Sequence, residues 1–172
     1  MELRFIPPDL RQLDLMVSEV LAVPLAVDER PPQGTAGLVD YRLAGKLSKV
    51  IISGALTGGL GEKVLIPGRP KLTFDKVLVY GCGELDAFNP QVFHRLIELL
   101  LSTLQDMDVR RAVVELPGRA TGRVSPEEAV QIVLEKATKY PSLDTWTLVD
   151  TPEAQRAAKS VLRRDARNQW GV

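Results

Sequence analysis

The sequence predicts an α/β domain of three layers, α/β/α, built on a mixed but mostly parallel sheet. Short β-rich runs alternate repeatedly with longer stretches of helical period. Those helical stretches are long enough for the right-handed crossovers that parallel strands need. One pair of β-rich runs, 62–68 and 74–81, is separated only by a turn, which adds an antiparallel pair. A chain of 172 residues suits one core, so residues 1–172 are read as a single domain.

The elements follow in order. ELRFI at 2–6 is a first short run, and after a polar connection SEVLAVPLAV at 18–27 reads as a buried strand. From Gly34 to about Ser53, Ala36, Val39, Leu43, Leu47, Val50 and Ile51 recur at three- and four-residue spacing, while Asp40, Arg42, Lys46 and Lys49 lie off the stripe. That pattern predicts one amphipathic helix. Gly37 and Gly45 sit inside it at a cost of about 0.5–1 kcal/mol each relative to alanine, so close approach of a neighbouring element is expected there. Gly54, Gly58, Gly59 and Gly61 follow as a loop.

EKVLIPG and FDKVLVYG are the two strands joined by the turn Gly68–Lys71. NPQVFHRLIELLLSTLQDM opens with Asn89 in N-cap position and Pro90 in the first turn, and its apolar stripe makes it the best-marked helix. RRAVVEL at 110–116 is a strand. SPEEAVQIVLEKATKY is a helix opened by Ser125, Pro126 and two acids that complement the helix dipole. DTWTLVD at 144–150 is the last strand, and from Thr151 a final helix carries Ala154, Ala158, Leu162, Ala166 and Trp170 at four-residue intervals.

Composition narrows the function. Hydrophobic residues make up 45% and charged residues 26%, with 22 basic side chains balancing 22 acidic ones, so nothing overall advertises a polyanionic partner. No apolar run reaches membrane-spanning length, and MELRFIPPDL lacks the features of a secretory leader. The expectation is a cytoplasmic protein without membrane contact. A single cysteine, Cys82, rules out an intrachain disulfide and a cysteine-rich metal site, and a single histidine, His94, limits acid–base chemistry. No metal site, cofactor or catalytic constellation emerges.

Arg30-Pro31, Gly34, Gly37, Asp40, Arg42-Leu43, Gly45, Leu47-Ser48, Gly54, Gly58, Gly61-Glu62 and Pro67 stand at a spacing that resembles the N-terminal domain of the cytosolic leucyl aminopeptidases. The similarity continues through KVLVYGCGE, where that family also places a strand ending in Gly-x-Gly. By pattern it covers residues 18–119, and more loosely it extends to 150. Tyr41 departs from the tryptophan common there. The resemblance implies a macro-domain-like fold with a sheet of about six strands. In those enzymes the metal ions and the peptide-cleaving residues belong to a separate C-terminal domain, whose signature Asn-Thr-Asp-Ala-Glu-Gly-Arg-Leu is absent from this sequence. No catalytic or metal-binding residue is therefore carried over, and the chain is expected not to be an enzyme.

Several features invite a sharper reading. Gly81 and Gly83 in YGCGELDAFN, together with Gly58, Gly59 and Gly61 in TGGLGE, are the candidate ligand-binding residues, because glycine loops at strand ends can cradle a phosphate with backbone N–H groups. Against this, the third glycine of a dinucleotide fingerprint is missing, Glu84 and Asp86 would repel phosphate, and the Asn-Ala-Ala-Asn segment of macro-domain binders is absent. Plain turns are the preferred reading. Cys82 has no adjacent cation in sequence to activate it and reads as a small inert residue. Arg156, Lys159, Arg163 and Arg167 line one side of the final helix and are the candidate nucleic-acid contacts, although a solvated basic face explains them better.

The leading expectation is a non-catalytic, stand-alone relative of the aminopeptidase N-terminal domain that acts through a protein partner or as a homo-oligomer. A module for ADP-ribose or another nucleotide is the first alternative. Nucleic-acid binding through the final helix is the second.

Overall fold

Alternation along the strands sends side chains to two cores. On β2 (Val20–Leu25), Val20 and Ala22 join one core while Leu21, Val23 and Leu25 join the other. The computed structural model describes the backbone of residues 1–170 and the side chains of residues 1–164. Among the described residues β2 is one of six strands, with β1 (Glu2–Ile6), β3 (Lys63–Pro67), β4 (Lys76–Gly81), β5 (Arg111–Val114) and β6 (Thr145–Val149). They form one sheet in the order β1-β6-β5-β2-β4-β3. All neighbours are parallel except β3 and β4, which pair antiparallel with Lys63 opposite Tyr80 and Pro67 opposite Lys76. The mixed, mostly parallel sheet expected from the sequence is thus present.

One face is covered by α4 (Pro90–Asp106), α5 (Pro126–Ala137) and α6 (Pro152–Trp170), which pack Phe93, Ile97, Val133 and Ala158 against Tyr80, Val114 and Trp146. The other face is covered by α1 (Leu10–Leu15), α2 (Gly34–Arg42) and α3 (Lys46–Ile52), with Leu13, Val39 and Leu47 against Val23, Val79 and Val113. The caps follow the sequence signals. Asn89 Oδ1 accepts from Val92 N at 3.0 Å and Ser125 Oγ accepts from Glu128 N at 3.2 Å. Among the described residues no helix is long and apolar enough to cross a membrane.

Two sequence expectations need correction. The single helix over 34–53 is two helices, broken where Ala44 and Gly45 adopt positive φ of 55° and 75°. The apolar stripe survives the break because Leu43 and Leu47 stay buried on either side of it. Asp40 on α2 then serves α3, accepting from Ser48 N at 2.9 Å and from the Ser48 hydroxyl. Gly37 does face a close approach: a Cβ there would lie 2.7 Å from the Pro32 carbonyl oxygen. The connection after β1, read as polar chain, holds α1, whose N-cap Asp9 accepts from Arg11 N at 2.7 Å.

Candidate functional site

In an open parallel sheet the ligand position lies beyond the carboxyl ends of the strands. Here β2, β4 and β5 end around a cavity of about 30 Å³ lined by Ala26, Glu29, Gly34, Cys82, Glu115 and Gly118. A space of that size holds a water molecule and no more.

The two glycine segments meet at this end of the sheet, so the five candidate glycines form one cluster. Gly83 N donates to Gly58 O at 2.9 Å, Gly61 N to Gly81 O at 3.1 Å, and Val27 N to Gly83 O at 3.0 Å. The backbones touch. A Cβ on Gly81 would sit 1.9 Å from the Gly59 carbonyl oxygen, and one on Gly58, whose φ is +84°, 2.7 Å from that of Ala26. Close backbone packing, which only glycine allows, accounts for both residues.

The loop does form an anion cradle, and the chain fills it itself. Thr57 N, Gly58 N and Gly59 N all donate to Glu62 Oε2, at 2.8, 2.8 and 3.2 Å, and the Thr57 hydroxyl adds a fourth contact at 3.1 Å. Partial burial pushes the Glu62 carboxyl up, but these donors together outweigh it and hold the group below the usual carboxylate range. Replacing Glu62 with alanine strips the loop of its acceptor and is expected to destabilise the protein by about 1–2 kcal/mol in urea titrations. No change in stability would mean that water serves the loop equally well.

A second cradle, the N-terminus of α2, is filled in the same way. Thr35 N donates to Glu115 Oε2 at 2.9 Å, and Gly34 takes a φ of +53° with so little room that a Cβ would lie 2.9 Å from Glu115 Oε1. The Thr35 hydroxyl lies beside the same carboxyl but outside hydrogen-bonding geometry, and it is buried without a partner. Glu115 is only 6% exposed. Burial pushes its carboxyl up to about 7, opposed by the Thr35 contacts and reinforced by the Glu29 and Asp150 carboxylates. The Tyr80 hydroxyl donates to the Glu115 carbonyl at 2.6 Å.

Cys82 lines the same cavity, and burial pushes its thiol up to about 12, so it is not a thiolate nucleophile at neutral pH. Among the described residues no three His, Cys, Asp or Glu side chains come together to hold a metal ion. His94 is half-buried on α4. On α6, Arg156 pairs with Glu153 at 3.2 Å and Lys159 lies 5.7 Å from the centre of the Phe5 ring, so these candidate cations already have intramolecular neighbours. Arg163 is exposed, and the Arg167 and Trp170 side chains lie outside the described residues.

Glu62 and Glu115, which decide the character of this site, were not among the sequence candidates. Glu62 had a local signal, standing three to five residues from the N–H groups it accepts. Glu115 had none, since Thr35 is 80 residues away in sequence.

Comparison with known proteins follows the fold. The family model described as "Cytosol aminopeptidase family, N-terminal domain" matches residues 22–139. A probable cytosol aminopeptidase of Halorhodospira halophila is 29% identical over 90 residues, which cover 52% of this chain and 18% of the relative. The match thus spans less than a fifth of that relative's length. Among solved structures, a mutant tomato leucine aminopeptidase superposes with a TM-score of 0.63 at 16% identity, over 94% of this chain and 35% of that one. A Trypanosoma brucei macrodomain in complex with ADP-ribose superposes with a TM-score of 0.71 at 15% identity, over 94% of this chain and 69% of that one. At these identities the structures speak for the macrodomain-like fold.

Proposed function

Because the chain belongs to the cytosol aminopeptidase family through its N-terminal domain, we propose that it acts in the cytoplasm without chemistry or cofactor of its own, as an association module. The observation that carries this reading is the closed strand-end cleft. Glu62 and Glu115 occupy both backbone cradles, and about 30 Å³ is left, where small-ligand pockets measure roughly 300–1,000 Å³. Large apolar side chains meanwhile remain exposed elsewhere, including Leu15, Tyr41, Ile52, Leu60 and Leu65. Surface of that kind suits a protein partner or a second copy.

The nucleotide reading is favoured by one observation, the position of the cleft at the ends of three parallel-facing strands, where the fold class binds ligands. Thermal unfolding with ADP-ribose, ADP and divalent metals separates the two. A ligand at 100 times its dissociation constant would add about 2.7 kcal/mol, or roughly 5–10 °C. A flat panel is expected, and a rise of that size with a nucleotide would overturn the association reading. A leucyl substrate with added divalent metal is expected to remain intact, and turnover by the purified chain would overturn the non-catalytic half of the reading.

A further inference from the structure

Arg95, Glu98, Leu99 and Ser102 recur at three- and four-residue spacing along α4, so they share one stripe of the helix. Across a hollow of about 360 Å³ that stripe meets Leu60 and Gly61 of the glycine loop, with Leu96 completing the wall. The volume is that of a small-ligand pocket. It shares no lining residue with the strand-end cleft. The loop that carries Leu60 is pinned by Glu62, which takes the N–H groups of Thr57, Gly58 and Gly59, and Leu60 is held 42% exposed.

The two charges on this wall differ in what answers them. Lys136 Nζ donates to Glu98 Oε2 at 2.9 Å and the Tyr140 hydroxyl to Glu98 Oε1 at 2.7 Å. These two hydrogen bonds, with the charges of Lys136 and Lys139 added, hold the Glu98 carboxyl below the usual carboxylate range. Arg95 is exposed and has no ion-pair partner among the described residues. The unanswered charge of the hollow is therefore positive. Asp106 stands about 16 Å further along the helix axis, beyond the screening length of about 8 Å at physiological salt.

The remaining polar groups that could meet a ligand are spent within the protein. Gly61 N donates to Gly81 O at 3.1 Å and the Ser102 hydroxyl to Leu99 O at 3.0 Å. A ligand rich in amide or hydroxyl groups would find few partners here, whereas an aliphatic chain asks for none.

We propose that this hollow binds a small apolar carboxylic acid, its carboxylate paired with the Arg95 guanidinium and its short aliphatic chain laid against Leu60, Leu96 and Leu99. The inference goes beyond the association reading and does not depend on it.

Titration of the full chain with hexanoate at constant pH, followed residue by residue in amide NMR spectra, tests this. Saturable shifts centred on Leu60, Gly61, Leu96 and Leu99 are expected. Acetate carries the charge without the chain and hexanamide the chain without the charge, so each should bind about fivefold more weakly or worse. Arg95→Met, which keeps an apolar stem, and Leu60→Ala should each weaken hexanoate about threefold or more. Their melting temperatures should not change, because both side chains are exposed. N-acetyl-leucine, which presents the carboxyl end of a peptide, should bind more weakly than hexanoate, and tighter binding would overturn the proposal in favour of a peptide terminus. Absence of saturation, hexanamide as good as hexanoate, or indifference to Arg95→Met overturns it as well, and leaves the association reading standing. Shifts centred instead on Cys82 and Gly118 would overturn both, since they would place the ligand in the strand-end cleft.

Discussion

Gly81→Ala is expected to lose about 4 kcal/mol or more of stability, enough to unfold most of a protein whose total is about 5–15 kcal/mol. The cause is geometric. The added Cβ would fall 1.9 Å from the Gly59 carbonyl oxygen and 2.8 Å from the Gly58 carbonyl. All of these are backbone atoms, so no side-chain rotation relieves the clash. Relief requires prising the Thr57–Gly61 loop off the end of β4, which breaks the Gly61 N to Gly81 O and Gly83 N to Gly58 O hydrogen bonds and disturbs the Glu62 cradle. Gly61→Ala is the control. Its Cβ would meet open space and only its φ of +83° is unfavourable, so about 1 kcal/mol is expected. Equal urea midpoints for the two variants would show that the loop is not anchored as described.

Raising the pH from about 5 to about 8.5 is expected to remove about 2.5 kcal/mol of stability through Glu115 alone. Its carboxyl stands near 7 in the folded protein against an ordinary 4.5. A folded-state value above the unfolded one means that the native state holds the proton more tightly. The contribution is therefore complete below the unfolded value and is lost as pH climbs through about 7. Burial sets the direction, and the Glu29 and Asp150 carboxylates reinforce it against the Thr35 contacts, while Cys82 and Tyr80 stay neutral in this range. Glu62 and Glu98 are shifted the other way, and their contributions fade only in acid, outside this window. Glu115→Gln keeps an acceptor for Thr35 N and carries no charge, so its stability should be flat over the interval. A wild-type profile as flat as that of Glu115→Gln would show that the ionised carboxylate is accommodated without cost.

The sheet, its antiparallel pair and the long helices were legible because each rests on short-range pattern. Asn89 and Ser125 announce their helices, and the two strands around Gly68–Lys71 have nowhere to go but back along one another. The break at Ala44 and Gly45 was hidden because burial of Leu43 and Leu47 is the same whether the helix bends or continues. Helix α1 was hidden by its brevity, with Leu13 its one buried residue. At the strand-end site the glycines were legible as a group, but not what they serve. Gly81 is explained by a carbonyl more than twenty positions away, and the α2 N-terminus by a carboxylate on the far side of β5. Such partners carry no mark in sequence, since any exposed-looking Glu could have been either.

The pairing of β1 with β6 sets the order in which the molecule can be made. Glu2 lies opposite Thr145 and Ile6 opposite Val149, so β1 leaves the ribosome about 140 residues ahead of its one neighbour in the sheet. At about 5–20 residues per second that interval is several seconds or more. During it ELRFI is an unpaired β-prone segment, while the β3–β4 hairpin closes on its own and β2 and β5 can gather around it. Completion of the sheet then becomes a late, chain-spanning event. A nascent chain stalled before Thr145 would expose two open strand edges, β1 and β5, to chaperones and to its neighbours.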